Sequence, residues 1–274
     1  MLPAAGILAV QNRGKRLVER ANGSPPSVRI LFLGQCLQYG YGRISGQTTF
    51  PRLAASMLRS RFPGLSFKFD LKYLYHPLGL KPILKHRLRF SPPDVVIITL
   101  PAMFAATSWR VNRIYEMAPE LVDTARSLLQ KMETTLHRIE HPRTATTLLD
   151  KAFAIRRPMP VDEYERVVQD AVEHCRQTSP CRFALMGPGR FNEDTIEDYA
   201  VHSPELWRSV NEMALRLGRR LNVPVINAQE ALEEHGSEVF ITNNHRWSVY
   251  GHEVIAGEVE SLIASQVIEL GRGK

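Results

Sequence analysis

Short apolar segments alternate with longer amphipathic segments along most of this chain, and this alternation restricts the fold more than any other feature. The short segments are rich in β-branched residues, and the one at 94–100 is apolar enough for a strand buried on both faces. Strands that alternate with helices form a parallel sheet with helices on both sides. The pattern predicts strands at residues 28–33, 65–70, 94–100, 182–186 and 223–227, and helices at residues 50–61, 119–140, 161–177, 204–221 and 251–271.

The predicted architecture is therefore an α/β fold, a three-layer α/β/α sandwich with a five-stranded parallel sheet. We expect residues 1–27 to form an N-terminal extension and residues 28–271 to form a single domain, because no internal repeat or low-complexity segment divides the chain. The stretch between the third and fourth strands is too long for one crossover helix. We expect a helical insertion around residues 101–180, either a cap over the site or a plain insertion.

The charge balance is basic, with 35 Lys and Arg against 28 Asp and Glu, a net charge of +7. A basic surface can attract nucleic acid. The basic residues are scattered, however, and no zinc-finger, RRM or KH pattern accompanies them. We expect the densest stretch, residues 81–89, to be a solvated basic face and expect no nucleic-acid partner. No apolar run approaches the roughly 18 residues that a membrane span needs.

The three cysteines, Cys36, Cys175 and Cys181, are an odd number, which suits a reducing compartment better than a disulfide scaffold. An apolar stretch at 2–10 precedes a basic stretch at 13–20, the reverse of the order in a secretory signal. These features predict a cytoplasmic protein. No pair of histidines accompanies Cys175 and Cys181 at metal-ligand spacing, so we expect no zinc site there.

Ligands of an open parallel sheet bind beyond the carboxyl ends of its strands. The segments that follow the predicted strands are therefore the candidates for chemistry. The first strand leads into Gly34-Gln-Cys-Leu, and the third leads into Pro101-Ala-Met-Phe. The fourth leads into Gly187-Pro-Gly-Arg, and the last helix is preceded by Asn243-Asn-His-Arg-Trp-Ser.

These segments resemble the motifs of the SGNH/GDSL hydrolase family. Gly34-Gln-Cys-Leu stands where the family has Gly-Asp-Ser-Leu after its first strand. The stretch from Asn243 to Ala256 is similar to the family's Asp-x-x-His block, which leads into Gly-His-x-x-Ile-Ala at a helix start. The resemblance covers residues 28 to about 268. It implies the flavodoxin-like SGNH fold and an activity on esters, as in esterases, lipases and acetyl-hydrolases.

The nucleophile position departs from the family pattern. Cys36 replaces the nucleophilic serine, and Gln35 replaces the aspartate before it. The block after the third strand supplies an oxyanion-hole asparagine in the family. Without a gap, Pro101 falls at the glycine and Met103 at the asparagine of that block.

The histidine position allows two alignments. Counting back from Gly251-His252 without a gap places Arg246 at the family histidine and Asn243 at the aspartate. One extra residue in the loop makes His245 the histidine instead. His252 itself is expected to be a residue of the first helical turn rather than a catalytic one.

Two functions are consistent with this site. In the first, the protein is an SGNH-like hydrolase or acyltransferase that acts on a small ester or thioester and needs neither a metal nor an organic cofactor. A cysteine near a helix N-terminus forms a stabilised thiolate, and a neighbouring histidine oriented by an amide serves as its base. In the second, the protein is a catalytically inactive relative that binds a ligand or partner. The sequence leaves the oligomeric state of the protein open.

For the enzyme, the sequence predicts three groups of site residues. The predicted catalytic residues are Cys36, His245 and Asn243. The oxyanion would be held by the Cys36 backbone N–H and by Gly79, and the predicted substrate-binding residues are Gln35, Met103, Arg190 and Arg246.

Overall fold

The five-stranded parallel sheet predicted from the sequence is present in the structure, a computed structural model. The structure describes residues 25–34, 48–74, 77–105, 159–190, 192, 204–241 and 246–272. The strand order is β2-β1-β3-β4-β5, and every neighbouring pair is parallel. The strands are β1 (Ser27–Gly34), β2 (Ser66–Tyr73), β3 (Val95–Thr99), β4 (Arg182–Met186) and β5 (Val225–Ile226).

The burial of each strand agrees with its place in the sheet, at the centre or at an edge. Every residue of β3 is buried, as its continuous apolar run predicts for a strand between two others. β2 lies at an edge of the sheet, where its alternate residues Lys68, Asp70 and Lys72 are charged. Charged side chains at an edge discourage pairing with another chain. β5 forms the other edge and has only two residues, fewer than the five predicted at 223–227.

Helices cover both faces of the sheet and complete the three-layer sandwich. One face packs against α1 (Phe50–Arg61), α5 (Ala228–Glu233) and α6 (Val249–Arg272). The other face packs against α2 (Leu80–Phe90), α3 (Val161–Thr178) and α4 (Pro204–Leu221). The bounds of α1 and α4 are those predicted, and α3 and α6 differ from the predicted helices by one or two residues at their ends.

Helices α2 and α5 are absent from the sequence prediction. The basic stretch at 81–89 lies in α2, whose buried residues Leu80, Ile83 and Leu84 have helical spacing. The helix was missed because the many Lys and Arg residues of this stretch indicated a basic surface rather than an amphipathic helix. Lys81 pairs with Asp170 of α3 at 2.7 Å. A second basic residue of the stretch, Arg87, pairs with Asp70 of β2 at 3.2 Å, so part of the stretch is neutralised by carboxylates rather than left as a free basic face.

Several predictions concern residues outside the described ranges. These are most of the N-terminal extension, the helix at 119–140, most of the insertion at 101–180, and the site residues Gln35, Cys36, Asn243 and His245. The single-domain organisation also stays a prediction. Among the helices that the structure describes, none has the length and apolar character needed to cross a bilayer.

Candidate functional site

The order of the strands defines one crevice at the carboxyl edge of the sheet. β1 is followed by α1 on one face, whereas the next described helix after β3 is α3 on the opposite face. The chain therefore leaves neighbouring strands in opposite directions. In open α/β sheets this switch point is where ligands bind. Here it lies between Gly34, at the end of β1, and Thr99, at the end of β3.

Hydrogen bonds hold the carboxyl ends of the strands in register at this edge. The Leu74 N–H, just after β2, donates to the Gly34 carbonyl at 2.6 Å. The buried Thr99 hydroxyl donates to the carbonyl of Leu33 at 3.2 Å. Between β3 and β4, the Leu100 N–H donates to the Met186 carbonyl at 2.8 Å. The residues immediately before the Gln35–Cys36 pair are thus fixed from both neighbouring strands.

The segment with Asn243 and His245 is flanked by a short antiparallel stem. Phe240 and Trp247 form a β-bridge. The Ile241 N–H donates to the Arg246 carbonyl at 2.9 Å, and Ser248 N–H donates to the carbonyl of Val239 at 2.8 Å. Residues 242–245 therefore connect two backbone stretches that are hydrogen-bonded to each other.

Trp247 anchors that stem against the start of α1. The indole is buried, and its ring centroid lies 5.8 Å from that of Phe50, the first residue of α1. It also covers Gly189, where a Cβ would lie 2.6 Å from the indole ring. Trp247 thus joins the stem to the start of the helix after β1 and to the segment after β4.

His252 lies in the first turn of α6, as predicted, and contacts the same cluster. Its ring stacks on Phe50, with centroids 6.1 Å apart and planes 12° apart, and is steeply inclined to the Trp247 ring, with centroids 5.6 Å apart. The Phe50 N–H donates to His252 Nδ1 at 3.2 Å. Since Nδ1 accepts this bond, the neutral ring carries its proton on Nε2. Burial lowers the pKa of His252 to about 4, which keeps the ring neutral near pH 7.

Ser248 caps α6 directly after the stem. Its Oγ accepts the Gly251 N–H at 3.2 Å, and its hydroxyl donates to the Glu238 carbonyl at 2.6 Å. This is the bonding expected of an N-cap serine, which satisfies a free N–H of the first helical turn.

Replacing Ser248 with alanine is expected to lower the free energy of unfolding by about 1 kcal/mol, because the Gly251 N–H loses its acceptor. Urea denaturation followed by circular dichroism measures the change. Ser265→Ala is the control, since this exposed serine of the same helix bonds only within its own helix, to Leu262. A loss no larger than that of the control would contradict the capping role.

Four predicted site residues have described backbones, and all four follow a strand or belong to the stem. Gly79 ends a buried 3-10 turn (Pro77–Gly79) after β2, next to the start of α2. Met103 belongs to the 3-10 turn Ala102–Phe104 after β3. Arg190 follows β4 and donates from Nη1 to the Gly236 carbonyl at 2.9 Å. Arg246 contributes its carbonyl to the stem.

The remaining two cysteines lie away from this edge. Cys175 belongs to α3 and Cys181 precedes β4, and both are free and buried. Burial raises the pKa of Cys175 to about 11 and that of Cys181 to about 12. Both thiols are therefore protonated and unreactive near neutral pH. Among the residues that the structure describes, no three His, Cys, Asp or Glu side chains meet as a metal site would require.

Comparison with known proteins gives a fold but no family. No protein-family model matches the chain, and no curated protein matches its sequence. Solved structures do match, and they show the fold: the chain shares its α/β architecture with an acetylxylan esterase and a lipase/acylhydrolase.

Three esterases or acylhydrolases illustrate the match. The acetylxylan esterase Axe2 from Geobacillus stearothermophilus is 16% identical with a TM-score of 0.53, over 87% of this chain and 95% of that one. A lipase/acylhydrolase from Enterococcus faecalis is 13% identical with a TM-score of 0.52, over 85% and 96%. The psychrotrophic esterase EstA from Pseudoalteromonas sp. is 12% identical with a TM-score of 0.52, over 87% and 98%.

Proposed function

We propose that this protein is a hydrolase or acyltransferase of SGNH type that acts on an ester or thioester through Cys36. The observation that carries the proposal is a contact between described residues that flank the two predicted catalytic segments. Residues 35–47 run between Gly34 and the start of α1, and residues 242–245 are flanked by the stem. Trp247 and Phe50 bring those flanks into contact.

The proposed chemistry uses Cys36 as the nucleophile and His245 as its base. His245 takes the thiol proton, and the thiolate attacks the acyl carbon. The bond to the leaving alcohol or thiol then breaks, and that group takes the proton from His245. Water or an acceptor alcohol, deprotonated by His245, attacks the resulting thioester; the bond from the acyl carbon to Cys36 sulfur breaks, and the thiolate regains the proton from His245. Asn243 orients the imidazole, as an amide does in Cys-His-Asn enzymes.

Backbone groups supply the proposed oxyanion site. Cys36 comes two positions after the last residue of β1, and Gly79 comes six positions after the last residue of β2, the neighbouring strand. Chain segments that follow neighbouring parallel strands start at the same edge of the sheet, and we propose that the two N–H groups face the developing oxyanion there. Gln35, Met103, Arg190 and Arg246 are proposed to contact the substrate around that point, since each follows a strand or belongs to the stem at this edge.

The structural neighbours share the fold, and the names of the Axe2 structures allow its catalytic residues to be compared with the groups proposed here. Axe2 structures include catalytic mutants in which a serine, an aspartate or a histidine is replaced by alanine. Its aspartate and histidine are three positions apart. In this chain the same spacing joins Asn243 to Arg246, whereas His245 lies one position earlier. We propose that one extra residue between His245 and Gly251 places His245 in the role of the histidine, with Asn243 one position nearer to it than the Axe2 aspartate is to its histidine.

The second candidate is a catalytically inactive protein that binds a ligand or partner at the same edge. The observation in its favour is the gapless alignment, in which Arg246 occupies the histidine position and belongs to the stem. A guanidinium there binds a carboxylate or phosphate rather than acting as a base at neutral pH.

Alkylation of Cys36 tests the enzyme proposal. Iodoacetamide labelling is measured from pH 5 to 9 and assigned by mass spectrometry. Cys175 and Cys181 stay protonated over this range, so labelling of the native protein reports Cys36. We expect an apparent pKa for Cys36 below the ordinary value of about 8.5, raised by His245→Ala.

His86→Ala is the matched control, because His86 is an exposed histidine of α2 on the opposite face of the sheet from α1. It is expected to leave the profile of Cys36 unchanged. Hydrolysis of p-nitrophenyl acetate and S-phenyl thioacetate by wild type, but not by Cys36→Ala, completes the expected result. If the pKa of Cys36 has its ordinary value and does not change in His245→Ala, the proposed thiol–imidazole pair is wrong and the binding function is favoured.

A further inference from the structure

Four helices of the protein end at the edge of the sheet opposite the crevice. Each of α1, α2, α3 and α4 is separated from the strand that follows it by only three or four residues, so its last turn lies where that strand begins. Backbone hydrogen bonds tie the segments of this edge together. The Asp94 N–H donates to the Arg29 carbonyl at 2.8 Å, and the Arg182 N–H donates to the Asp94 carbonyl at 2.9 Å. We call this side of the molecule the amino edge.

The last turns of these four helices contain arginine and no acidic residue. Their basic residues are Arg59, Arg61, Arg87, Arg89, Arg176, Arg219 and Arg220. A cation in a last turn stabilises its own helix through the helix dipole. Because the parallel sheet aligns all four helices, the same preference gathers seven guanidinium groups at one edge. The amino edge is therefore strongly basic.

Only some of these arginines are neutralised by carboxylates within the fold. The ion pairs are Arg61 with Glu260 at 3.0 Å, Arg87 with Asp70 at 3.2 Å, and Arg220 with Glu165 at 3.1 Å. In contrast, Arg59, Arg89 and Arg219 are exposed and form no ion pair with any residue that the structure describes. They belong to α1 on one face of the sheet and to α2 and α4 on the other. Uncompensated positive charge thus extends across the whole amino edge.

Helices α1 and α2 end in the same short motif, Arg-x-Arg-Phe, at residues 59–62 and 87–90. In each motif the second guanidinium lies over the ring that follows it. Arg61 Cζ is 5.7 Å from the Phe62 centroid, and Arg89 Cζ is 5.2 Å from the Phe90 centroid. Phe90 is 64% exposed, more than any other large hydrophobic side chain that the structure describes. An exposed aromatic ring beside a cation suits the boundary between lipid headgroups and acyl chains.

We propose that the amino edge binds the surface of an anionic phospholipid bilayer, with its unpaired arginines on the headgroup phosphates and Phe90 inserted among the headgroups. Arginine suits this role because its planar guanidinium donates two parallel hydrogen bonds to a phosphate. The inference does not depend on the proposed function. The crevice lies at the opposite edge of the sheet, so in this orientation it faces the water.

Two observations favour a bilayer over a nucleic-acid strand. The unpaired arginines are spread over both helical layers, whereas a single strand is held along one positively charged groove. The Phe90 ring also has neighbours already, Arg89 and the His86 ring, whose centroid is 4.8 Å away. A stacking base requires a free ring face, but insertion between headgroups does not.

Sedimentation of the full-length protein with lipid vesicles tests the proposal. The vesicles contain phosphatidylcholine with about 30% phosphatidylserine, in about 0.15 M NaCl. We expect wild type to bind these vesicles and not vesicles of phosphatidylcholine alone. A triple variant, Arg59→Gln, Arg89→Gln and Arg219→Gln, should bind about 100-fold more weakly, since each arginine near an anionic bilayer contributes about fivefold. If the triple variant does not fold by circular dichroism, the three single variants replace it, with about fivefold expected for each.

A second triple variant is the matched control, with Arg52→Gln, Arg166→Gln and Arg208→Gln. These arginines are exposed and lie in the first two turns of α1, α3 and α4, at the other end of the helices. Both triple variants have the same net charge, so a difference between them reports the location of the charge. The control is expected to bind almost as well as wild type. Phe90→Ser should weaken vesicle binding by about fivefold, because insertion buries part of the ring.

Three results would overturn the proposal. The first is a lack of wild-type binding to the phosphatidylserine vesicles. The second is an equal loss in the two triple variants, which would show that overall charge rather than the amino edge attracts the bilayer. The third is binding of a fluorescent single-stranded RNA that is weakened in the amino-edge variant and not in the control, while Phe90→Ser leaves vesicle binding unchanged. That result would make the amino edge a nucleic-acid site.

Discussion

Replacing Gly251 with alanine is expected to lower the free energy of unfolding by about 3 kcal/mol. A Cβ built on Gly251 would lie closer than 3.0 Å to the Val239 carbonyl oxygen and 3.1 Å from Trp247 Cβ. The carbonyl cannot easily move away, because it accepts the Ser248 N–H at 2.8 Å as part of the stem. The added methyl group must therefore push the start of α6 away from the stem.

Gly257→Ala is the matched control for this prediction. Gly257 lies in the same helix, and a Cβ there would meet nothing within 4 Å. Alanine is favoured over glycine in a helix interior by about 1 kcal/mol, so this variant should be more stable than wild type. Urea denaturation with a common m-value gives both differences. The two glycine-to-alanine changes are thus expected to have opposite signs within one helix.

Equal stabilisation by both substitutions would show that the stem and α6 do not approach each other as described. The expected difference in stability between Gly251→Ala and Gly257→Ala also gives a physical reason why glycine stands next to histidine at positions 251 and 252. The glycine permits the backbone of α6 to approach the Val239 carbonyl. The histidine on the next position then reaches the start of α1. Close approach and long-range capping are separate requirements, and adjacent residues satisfy them.

The elements that the sequence predicts correctly are those whose burial follows a clear period. The run at 94–100 is apolar throughout, and β3 is buried throughout. α4 buries Trp207, Val210, Ala214, Leu217 and Leu221, which recur at intervals of three and four residues. Such patterns are local, so a single sequence is sufficient to find them.

The elements that were missed depend on contacts made elsewhere in the chain. α2 has only three fully buried residues and is held partly by ion pairs from Lys81 to Asp170 and from Arg87 to Asp70. The partner carboxylates belong to α3 and β2, and nothing within residues 80–90 reveals them. α5 was missed for a different reason: with six residues it is too short to show a helical period, although its N-cap residue Asn227 accepts the Glu230 N–H.

The candidate site was likewise predictable from the sequence only in part. The segments that follow the strands were predictable from the rule that parallel sheets bind ligands at their carboxyl edge. The stem at Phe240 and Trp247 was not, since one bridge leaves no periodic pattern. The sequence also placed His252 in the first helical turn but could not reveal its capping bond, because the donor belongs to Phe50, 202 residues away.

Acid is expected to destabilise the protein through His252 by about 3 kcal/mol between pH 6.5 and pH 4. Burial lowers the pKa of His252 to about 4 in the folded protein, whereas the unfolded chain has the ordinary value of about 6.5. Between these values the unfolded state binds a proton that the folded state does not. The free energy of unfolding therefore falls as the pH decreases through this window, and the contribution is fully present above pH 6.5.

His252→Asn isolates this contribution, because asparagine does not titrate and keeps an acceptor for the Phe50 N–H. Urea denaturation of both proteins at intervals from pH 8 to pH 4.5 gives the measurement. The stability of wild type relative to His252→Asn should decrease steadily below pH 6.5, while carboxylates common to both proteins cancel in the difference. His86→Asn is the control, since it removes an exposed histidine and should leave the wild-type pH dependence unchanged. Parallel curves for wild type and His252→Asn would mean that the folded protein admits a proton at His252 near pH 6.5. The imidazole could not then be the buried acceptor at the start of α1, since a protonated Nδ1 donates and would face the Phe50 N–H.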